Sequence, residues 1–412
     1  MTSPTFQDFL ELGLKQKFSC KELVHHILPF SFPTIQMDVW PVGPIPYTYR
    51  SGQITLSLGD TGLGILGTDP YFLELLKLLK DECIPINTME ICGFDRTYTQ
   101  NSSTLISGFS SFPHICDLQI LEVQWSKDDV RDIVASLPNL RFLTLKGWRA
   151  WESSPTQGAE DWPHGRRDHP PHLESLRLLF DDGETILLDL FDGSGYPANV
   201  QGLEMLTIHG NESEDNDTVS CDDVMIQKIQ AFLDLLVIPP IYISLGNFRI
   251  ETRLILDVSK IEALCFKIPV CSSDLDDWAR WLADIVHAIP VENKIKEFMI
   301  EFEVDWYMVS EIPPDAFTGR ENPFWASLDR DLCRPHMRFE ELSVKFYMQH
   351  PDHEKLYDLG QIVSWICVHC LPRSRSFHGS AFKLFDTLGN DIKFVLPFFP
   401  GVLQLTTRLS YP

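Results

Sequence analysis

The chain has 412 residues, of which 44% are hydrophobic and 11% aromatic, a composition typical of a globular protein that buries a core. It carries 34 Lys and Arg residues against 58 Asp and Glu residues, which gives a net charge of −24. Without a segregated basic stripe, this balance argues against nucleic acid and anionic membrane surfaces as partners. The sequence also has no run of about 18 apolar residues, so no membrane-spanning segment is predicted.

The ten cysteines are scattered along the chain, mostly within apolar runs. This distribution favours reduced, buried thiols over a disulfide framework. The first residues lack a basic region followed by an apolar one, so a secretion signal is not expected. Together these features predict a cytoplasmic or nuclear protein.

Residues 1–50 differ in composition from the rest of the chain. A short helical pattern at 20–28 is followed by a proline-rich run between Pro29 and Pro46, and proline at this density disfavours helices and central strands. We therefore expect 1–50 to form an irregular N-terminal segment. Residues 51–412 are expected to form the main domain, with a C-terminal cap at about 350–412.

An apolar skeleton recurs along the main domain and is best preserved as Leu140-x-x-Leu143-x-Leu145. The predicted copies begin at Ile86, Leu118, Leu140, Leu173, Leu203, Ile261, Ile295 and Phe339. The longest interval is filled by a similar alternation at 241–245, and residues 53–58 alternate in the same way ahead of the first copy. Each of these stretches is typical of a short strand.

Helical patterns stand between several of the predicted strands. They are predicted over 70–82, 128–137, 222–236, 273–288, 322–332 and 354–370, and a last strand is predicted over 392–396. A strand and a helix that alternate at intervals of about 30 residues are typical of stacked repeats. The predicted fold is therefore α/β, an irregular leucine-rich-repeat-like solenoid with a parallel sheet on one face and helices on the other.

Units such as 137–145, 172–178 and 231–240 resemble the degenerate leucine-rich repeats of fungal F-box/leucine-rich-repeat-type proteins. The resemblance covers about residues 85–350, and 21–28 resembles the first helix of an F-box, without the Leu-Pro pair that normally precedes it. In that family the F-box recruits a Skp1-type adaptor of a ubiquitin ligase, and the repeats present a substrate-binding surface. The resemblance thus implies a substrate-recognition role.

The residues that alternate with the apolar skeleton are predicted to point to the open face of the sheet. This predicted contact row consists of Glu122, Thr144, Lys146, Arg177, Thr207, His209, Lys267, Met299, Glu301 and Lys345. The polar loop at 149–171 is expected to form its rim. On this reading the chain is a non-enzymatic protein-interaction scaffold that needs no cofactor or metal.

A different function is indicated by the motif Gly62-x-Gly64-x-x-Gly67, which lies between a predicted strand and a predicted helix. Dinucleotide-binding sites have this context, because the glycines let the backbone approach a pyrophosphate at the helix N-terminus. Here Thr68-Asp69-Pro70 places the start of the predicted helix after the third glycine, which favours a simple glycine-rich turn. A nucleotide-binding oxidoreductase that uses these glycines remains the alternative.

Three other groups are better explained by structure than by chemistry. The pair Cys367-x-x-Cys370 has no second cysteine pair to complete a zinc site. The histidines of the segment 164–172 lie beside prolines and lack a rigid scaffold, and the acidic run 212–217 lacks the glycine and distal glutamate of a calcium loop. No metal site is predicted.

Overall fold

The structure is a computed structural model, and it divides the chain into two compact units. Unit 1 comprises Met1–Phe180 and Ile186–Leu203, and unit 2 comprises Asp181–Thr185 and Glu204–Pro412. The residues that the structure describes are 35–39, 54–58, 86–92, 112–121, 127–147, 170–180, 198–210, 219–269, 275–304, 323–348 and 380–386. Both units are mixed α/β and contain largely parallel sheets, as predicted.

In unit 1 the described strands are paired in the order in which they occur along the chain. They are β1 (Ile35–Val39), β2 (Ile54–Leu58), β3 (Ile86–Cys92), β4 (Asp117–Leu121), β5 (Phe142–Lys146) and β6 (Ser175–Phe180), with helix α1 (Lys127–Ser136) between β4 and β5. Strand β1 is antiparallel to β2, and each later strand is parallel to the one before it.

Strand β1 lies inside the segment that the sequence predicted to be irregular. Pro33 and Pro41 lie on either side of the strand, and its five residues contain no proline. Every residue of β1 therefore keeps the N–H that strand pairing requires. The domain boundary predicted near residue 50 stays a prediction.

Unit 2 repeats this arrangement with more strands and helices. Its elements are β7 (Met205–Gly210), β8 (Ser220–Cys221), α2 (Asp223–Leu235), β9 (Tyr242–Gly246), β10 (Arg249–Ile250), β11 (Ala263–Pro269), α3 (Leu275–Ala288), β12 (Glu297–Val304), α4 (Pro323–Leu332), β13 (Glu341–Met348) and β14 (Ser380–Asp386). Strands β7, β9, β11, β12, β13 and β14 are paired in that order and all in parallel, while β8 and β10 form a separate parallel pair. Strand β14 was not predicted from the sequence, and the predicted strand at 392–396 lies outside the described residues.

The four described helices confirm the helices predicted over 128–137, 222–236, 273–288 and 322–332 to within about two residues. In α2 the Asp222 side chain accepts a hydrogen bond of 2.8 Å from the Met225 N–H and so caps the first turn. The helix ends at Leu235, ahead of Pro239 and Pro240, which cannot continue a helix. The predicted helices at 70–82 and 354–370 lie outside the described residues.

In unit 2, helices α3 and α4 pack on the sheet face that carries the apolar skeleton. Trp281 of α3 meets the Phe266 ring of β11 edge to face at a centroid distance of 6.1 Å, and Trp325 of α4 lies 6.1 Å from the Phe302 ring of β12. The fully buried Trp278 also donates a hydrogen bond of 2.9 Å to the Phe248 carbonyl. These contacts leave the opposite face, here called the strand face, to the alternating residues.

The strand registers confirm the predicted skeleton with one correction. Leu143 stands opposite Leu176 and Leu264 opposite Phe298, and all four side chains are buried. The copy predicted at Leu118-x-x-Leu121-x-Val123 is wrong by three residues. Leu118 and Ile120 stand opposite Leu143 and Leu145, Leu121 is half-buried, and the buried Ile115 is the first member of the copy.

The reason for this error lies in the local sequence. Between residues 115 and 123 two overlapping stretches match the spacing of the apolar skeleton, one that begins at Ile115 and one that begins at Leu118. Successive strand residues point to opposite faces, so a shift of three residues exchanges the buried and strand-face sets. Packing against β3 and β5, and not the pattern, selects the register.

Candidate functional site

On the strand face of unit 1, polar side chains from neighbouring strands form a row. Gln119 stands opposite Thr144, and Thr144 stands opposite Arg177. Lys146 is two residues further along β5, on the same face and half-buried. Arg177 is exposed and forms no ion pair with any residue that the structure describes.

An aromatic side chain lies beside this row. Phe142 is 36% exposed, and the Arg141 guanidinium carbon lies 5.5 Å from its ring centroid. Arg141 is held in place by a bidentate ion pair with Glu174, in which both guanidinium donors reach the carboxylate. Opposite Phe142, burial raises the pKa of Asp117 above its usual value.

The strand face of unit 1 therefore combines an exposed arginine, a half-buried lysine, a partly exposed aromatic ring and uncharged polar groups. We call Gln119, Phe142, Thr144, Lys146 and Arg177 the unit 1 strand patch. Aromatic residues and arginine are the types enriched where protein interfaces bind most strongly. The patch thus has the composition of a protein-contact surface.

The strand face of unit 2 is less open than the sequence predicted. Its central row consists, in order across the strands, of Thr207, Ser244, Cys265, Met299 and Ser343. Thr207 and Met299 are half-buried, whereas Ser244, Cys265 and Ser343 are at most 3% exposed. These side chains are small, so larger neighbours cover them. The Tyr242 hydroxyl, for example, lies close to the side chains of both Cys265 and Ser244.

A second row in unit 2 consists of charged residues that compensate one another. The Lys267 ammonium lies 2.7 Å from a Glu303 carboxylate oxygen, and the Lys345 ammonium lies 3.4 Å from a Glu301 carboxylate oxygen. Burial works to lower the pKa of Lys267, but the carboxylates of Glu303 and Glu301 raise it above its usual value. We call these four residues the unit 2 ion ladder. Within the ladder each ammonium is paired with a carboxylate, so these lysines do not present an unpaired charge on the surface.

This pairing corrects part of the predicted contact row. Lys267, Glu301 and Lys345 were expected to face a partner, yet the Glu301 residue is only 7% exposed and each ammonium is bound to a carboxylate. His209 is likewise 5% exposed, with its Nε2 atom 2.8 Å from the Ser244 hydroxyl oxygen. Burying an unpaired charge or dipole in a sheet is costly, so opposite charges and hydrogen-bonding groups on neighbouring strands compensate one another.

The contact between His209 and Ser244 has the distance of a base and nucleophile pair, and both side chains are buried beside Cys265 and Tyr242. Burial, together with the Glu301 carboxylate, raises the pKa of the neighbouring Cys265 thiol to about 11. Burial also raises the pKa of the Tyr242 hydroxyl above its usual value. Both groups are therefore held in their protonated, weakly nucleophilic form.

Two backbone features at the end of β9 were missed by sequence reasoning. Gly246 has no space for a side chain, because an added Cβ would lie 2.2 Å from the Lys267 Cβ. The next residue, Asn247, has a φ of 57°, and its side-chain amide donates a hydrogen bond of 2.7 Å to Glu303. A Gly-Asn pair after an alternating strand is a recognised turn signal, which could have identified this site.

The remaining members of the predicted contact row have different outcomes. Thr144, Lys146 and Arg177 are brought together on unit 1, as predicted. Glu122 lies outside the described residues, and the corrected register assigns the place beside Thr144 to Gln119. Only the last two residues of the predicted rim at 149–171 are among the described residues. The motif Gly62-x-Gly64-x-x-Gly67 lies wholly outside them.

The described part of the chain contains no group of three or more His, Cys, Asp or Glu side chains that could hold a metal ion. Within the same residues, no helix has the length and apolar character needed to cross a membrane. The cysteine pair at 367–370 and the acidic run at 212–217 are not among them.

Comparison of the chain with protein-family models and with curated proteins finds no match. Of the members of the sequence-predicted row that the structure describes, Arg177 in the unit 1 strand patch is exposed and Thr144, Lys146, Thr207 and Met299 are half-buried.

Proposed function

We propose that this chain is an irregular leucine-rich-repeat-like solenoid that acts as a non-enzymatic protein-interaction scaffold. Two observations support the solenoid. Parallel strands follow one another in chain order within each unit, and in unit 2 the helices pack on the skeleton side of the sheet. Repeat proteins of this type bind partners on surfaces built from equivalent positions of successive units.

The observation that carries the proposal is the exposure of Arg177 within the unit 1 strand patch. Its guanidinium has five donors in a planar arrangement and no carboxylate partner among the described residues. Phe142 supplies apolar area next to it, and Thr144 supplies a polar group that can adapt to a bound surface. The partner is therefore expected to approach β5 and β6 and to place a carboxylate or carbonyl group against Arg177.

The test compares two charge reversals in the full-length chain. Arg177→Glu changes the unit 1 strand patch, and Arg253→Glu makes the same charge change at an exposed residue next to Leu254, whose carbonyl accepts a hydrogen bond from α3. Proteins that co-purify with the original chain and with each variant are quantified by mass spectrometry. A protein that is depleted with Arg177→Glu and retained with Arg253→Glu is then purified, and its affinity for each chain is measured by titration. We expect Arg177→Glu to weaken binding about tenfold, or about 1.4 kcal/mol, and Arg253→Glu to leave it unchanged.

A purified partner that binds both variants with equal affinity would rule out the patch as the contact surface. Thr144→Arg provides a second variant, since its side chain adds bulk to the same surface without removing Arg177. Thermal unfolding of each variant shows whether the fold is retained. Retained folding with lost binding supports the proposal.

A role as the substrate-recognition part of an F-box-type ubiquitin ligase would extend this proposal. It is supported by the resemblance of residues 21–28 to the first F-box helix. We expect a Skp1-type adaptor to co-purify with the full-length chain and to be lost when residues 18–30 are replaced. Adaptor binding that is absent, or that survives this replacement, removes the ligase role and leaves the scaffold proposal untouched.

A further inference from the structure

Exposed apolar side chains are concentrated in unit 2 where α2 leads into β9. Val237 is 82% exposed, Ile238 is 62% exposed and Ile241 is 52% exposed. Leu235, in the last turn of α2, is 46% exposed, and Met205, at the start of the neighbouring strand β7, is 45% exposed. We call these five residues the α2–β9 patch.

The backbone of this patch is held in place by its neighbours. Leu236 is buried, and its N–H donates a hydrogen bond of 3.2 Å to the Leu233 carbonyl. Pro240 is buried as well, and the Ile241 carbonyl accepts a hydrogen bond of 2.8 Å from the Ala263 N–H. Because the chain is anchored on both sides, the apolar side chains are displayed on a fixed backbone, which lowers the entropy lost on binding.

Single exposed apolar residues are ordinary on a protein surface, whereas a contiguous group marks an interaction site. The members of this group come from adjacent elements. Met205 and Tyr242 are register partners, and the Tyr242 N–H donates a hydrogen bond of 3.0 Å to the Glu204 carbonyl. The start of β7 therefore lies directly beside the segment that contains Ile241.

The charges next to the patch are negative. Glu204 precedes Met205, Asp234 precedes Leu235, and both carboxylates are exposed. Neither forms an ion pair with a described residue, although Asp234 accepts a hydrogen bond of 2.9 Å from Gln230. Glu262, which precedes Ala263, is already bound to Lys296. The patch is thus apolar with an uncompensated acidic margin.

We propose that the α2–β9 patch docks a protein segment in which apolar side chains are flanked by Lys or Arg. The apolar side chains would bury the exposed area, and the basic ones would pair with Glu204 and Asp234. A second copy of this chain is disfavoured as the occupant, because its net charge is also −24. The patch uses none of the residues of the unit 1 strand patch, so this proposal is independent of the function proposed above.

The test uses the full-length chain and two synthetic peptides. One is a helical peptide of about 18 residues built from Leu and Lys in an amphipathic pattern, and the other has Glu at every Lys position. Binding is measured by fluorescence anisotropy at about 0.15 M salt, where long-range attraction is screened. We expect the Leu/Lys peptide to bind at least about tenfold more tightly than the Leu/Glu peptide.

Matched variants locate the binding on the protein. Val237→Ser combined with Ile238→Ser should weaken Leu/Lys binding by about tenfold or more. The control is Leu254→Ser combined with Ile255→Ser, which removes side chains that are 36% and 45% exposed elsewhere in unit 2 and should leave binding unchanged. All four side chains point to solvent, so thermal unfolding should be similar in both double variants.

The acidic margin is tested in the same way. Glu204→Gln combined with Asp234→Asn should weaken Leu/Lys binding several-fold, by roughly 1 kcal/mol. Glu292→Gln combined with Glu340→Gln removes the same number of negative charges from other exposed positions of unit 2 and should have no such effect.

Four results would overturn the proposal. The first is equal affinity for the Leu/Lys and Leu/Glu peptides, and the second is equal affinity of the patch variant and its control for the Leu/Lys peptide. The other two results would show that a second copy of this chain or a lipid surface occupies the patch. Self-association that Val237→Ser and Ile238→Ser abolish, measured by sedimentation, would assign the patch to a second copy. Patch-dependent binding to phosphatidylcholine vesicles would assign it to a lipid surface.

Discussion

Asp331 of α4 shows how a single buried carboxylate joins two helices of unit 2. Only 1% of its side chain is exposed, yet its oxygens lie 3.0 Å from the His287 ring nitrogen at the end of α3 and 2.9 Å from the Arg334 guanidinium. Burial works to raise the pKa of Asp331, but the hydrogen bond between Asp331 and His287 and the charge of Arg334 lower it below its usual value. The ionised form is therefore the one that stabilises the fold.

Replacing Asp331 with Asn should lower the free energy of unfolding by about 2 kcal/mol at neutral pH, because charge-assisted hydrogen bonds are lost. The folded pKa lies below the unfolded one, near about 3.9, so this contribution is fully present above that pH and is lost as the pH falls through the folded pKa. Denaturant unfolding of both proteins at several pH values checks this. A difference that stays constant from pH 7 to about pH 2 would contradict it.

Asp234→Asn serves as the control for this measurement. Its carboxylate is exposed and accepts one hydrogen bond from Gln230 within the same helix. Substitutions at such surface positions usually change stability by no more than about 0.5 kcal/mol. If Asp234→Asn lowered the free energy of unfolding as much as Asp331→Asn does, the burial of Asp331 would not be the reason for its larger contribution to stability.

Gly246 is a second residue whose identity is set by its surroundings. It stands opposite Lys267, and an added Cβ would lie 2.2 Å from the Lys267 Cβ and 2.5 Å from the Lys267 carbonyl oxygen. Gly246→Ala should therefore force β9 and β11 apart and lower the free energy of unfolding by about 3 kcal/mol. Gly202→Ala is the matched control, because its Cβ would lie in ordinary van der Waals contact, 3.8 Å from the Nδ1 atom of the His172 ring. Equal losses in the two variants would show that the β9–β11 contact is not that close.

At the scale of elements, the register of β4 decides which side chains reach the strand face. Ile115 is 1% exposed, and Leu121 is half-buried beside Lys146. The register predicted from the apolar pattern would instead have placed Leu121 in the core and Glu122 on the strand face. A pattern that fits twice within nine residues cannot choose between two buried sets, whereas packing against two neighbouring strands can.

Truncation of the two apolar residues tests the corrected register. Ile115→Ala should lower the free energy of unfolding by about 3 kcal/mol, because it leaves a cavity in the core. Leu121→Ala should cost about 1 kcal/mol, as its side chain is partly solvated in the folded state. Chemical denaturation of both variants gives the comparison. The reverse order of losses would restore the register that begins at Leu118.

The helices were predicted more reliably than the residues of the strand face, for a physical reason. Asp222 caps α2 through a contact only three residues away, and the acidic residues Asp276 and Asp277 lie in the first turn of α3, where the helix dipole favours them. Such signals are local in sequence. The partners of Lys267 and Lys345 come from other strands, more than 30 residues away, and no local pattern specifies them.

At the scale of the whole molecule, the chain carries a net charge of −24, and the described charged side chains are arranged differently in the two units. In unit 1 the strand patch retains an exposed arginine, whereas in unit 2 the ion ladder uses its lysines internally. The same unit leaves Glu204 and Asp234 without ion pairs beside apolar side chains. The two units thus display surfaces of different chemistry, which is consistent with different classes of partner segment.

The sequence by itself determined the alternation of strands and helices, the positions of the four described helices and most of the buried skeleton. These features follow from periodicity and from contacts within a few residues, which can be read along the chain. Only the tertiary structure decided the register of β4, the burial of Ser244 and Cys265, the pairing in the ion ladder and the exposure of the α2–β9 patch. Each of these depends on which distant strand becomes a neighbour, because burial and electrostatic compensation are properties of the assembled sheet and not of any one segment.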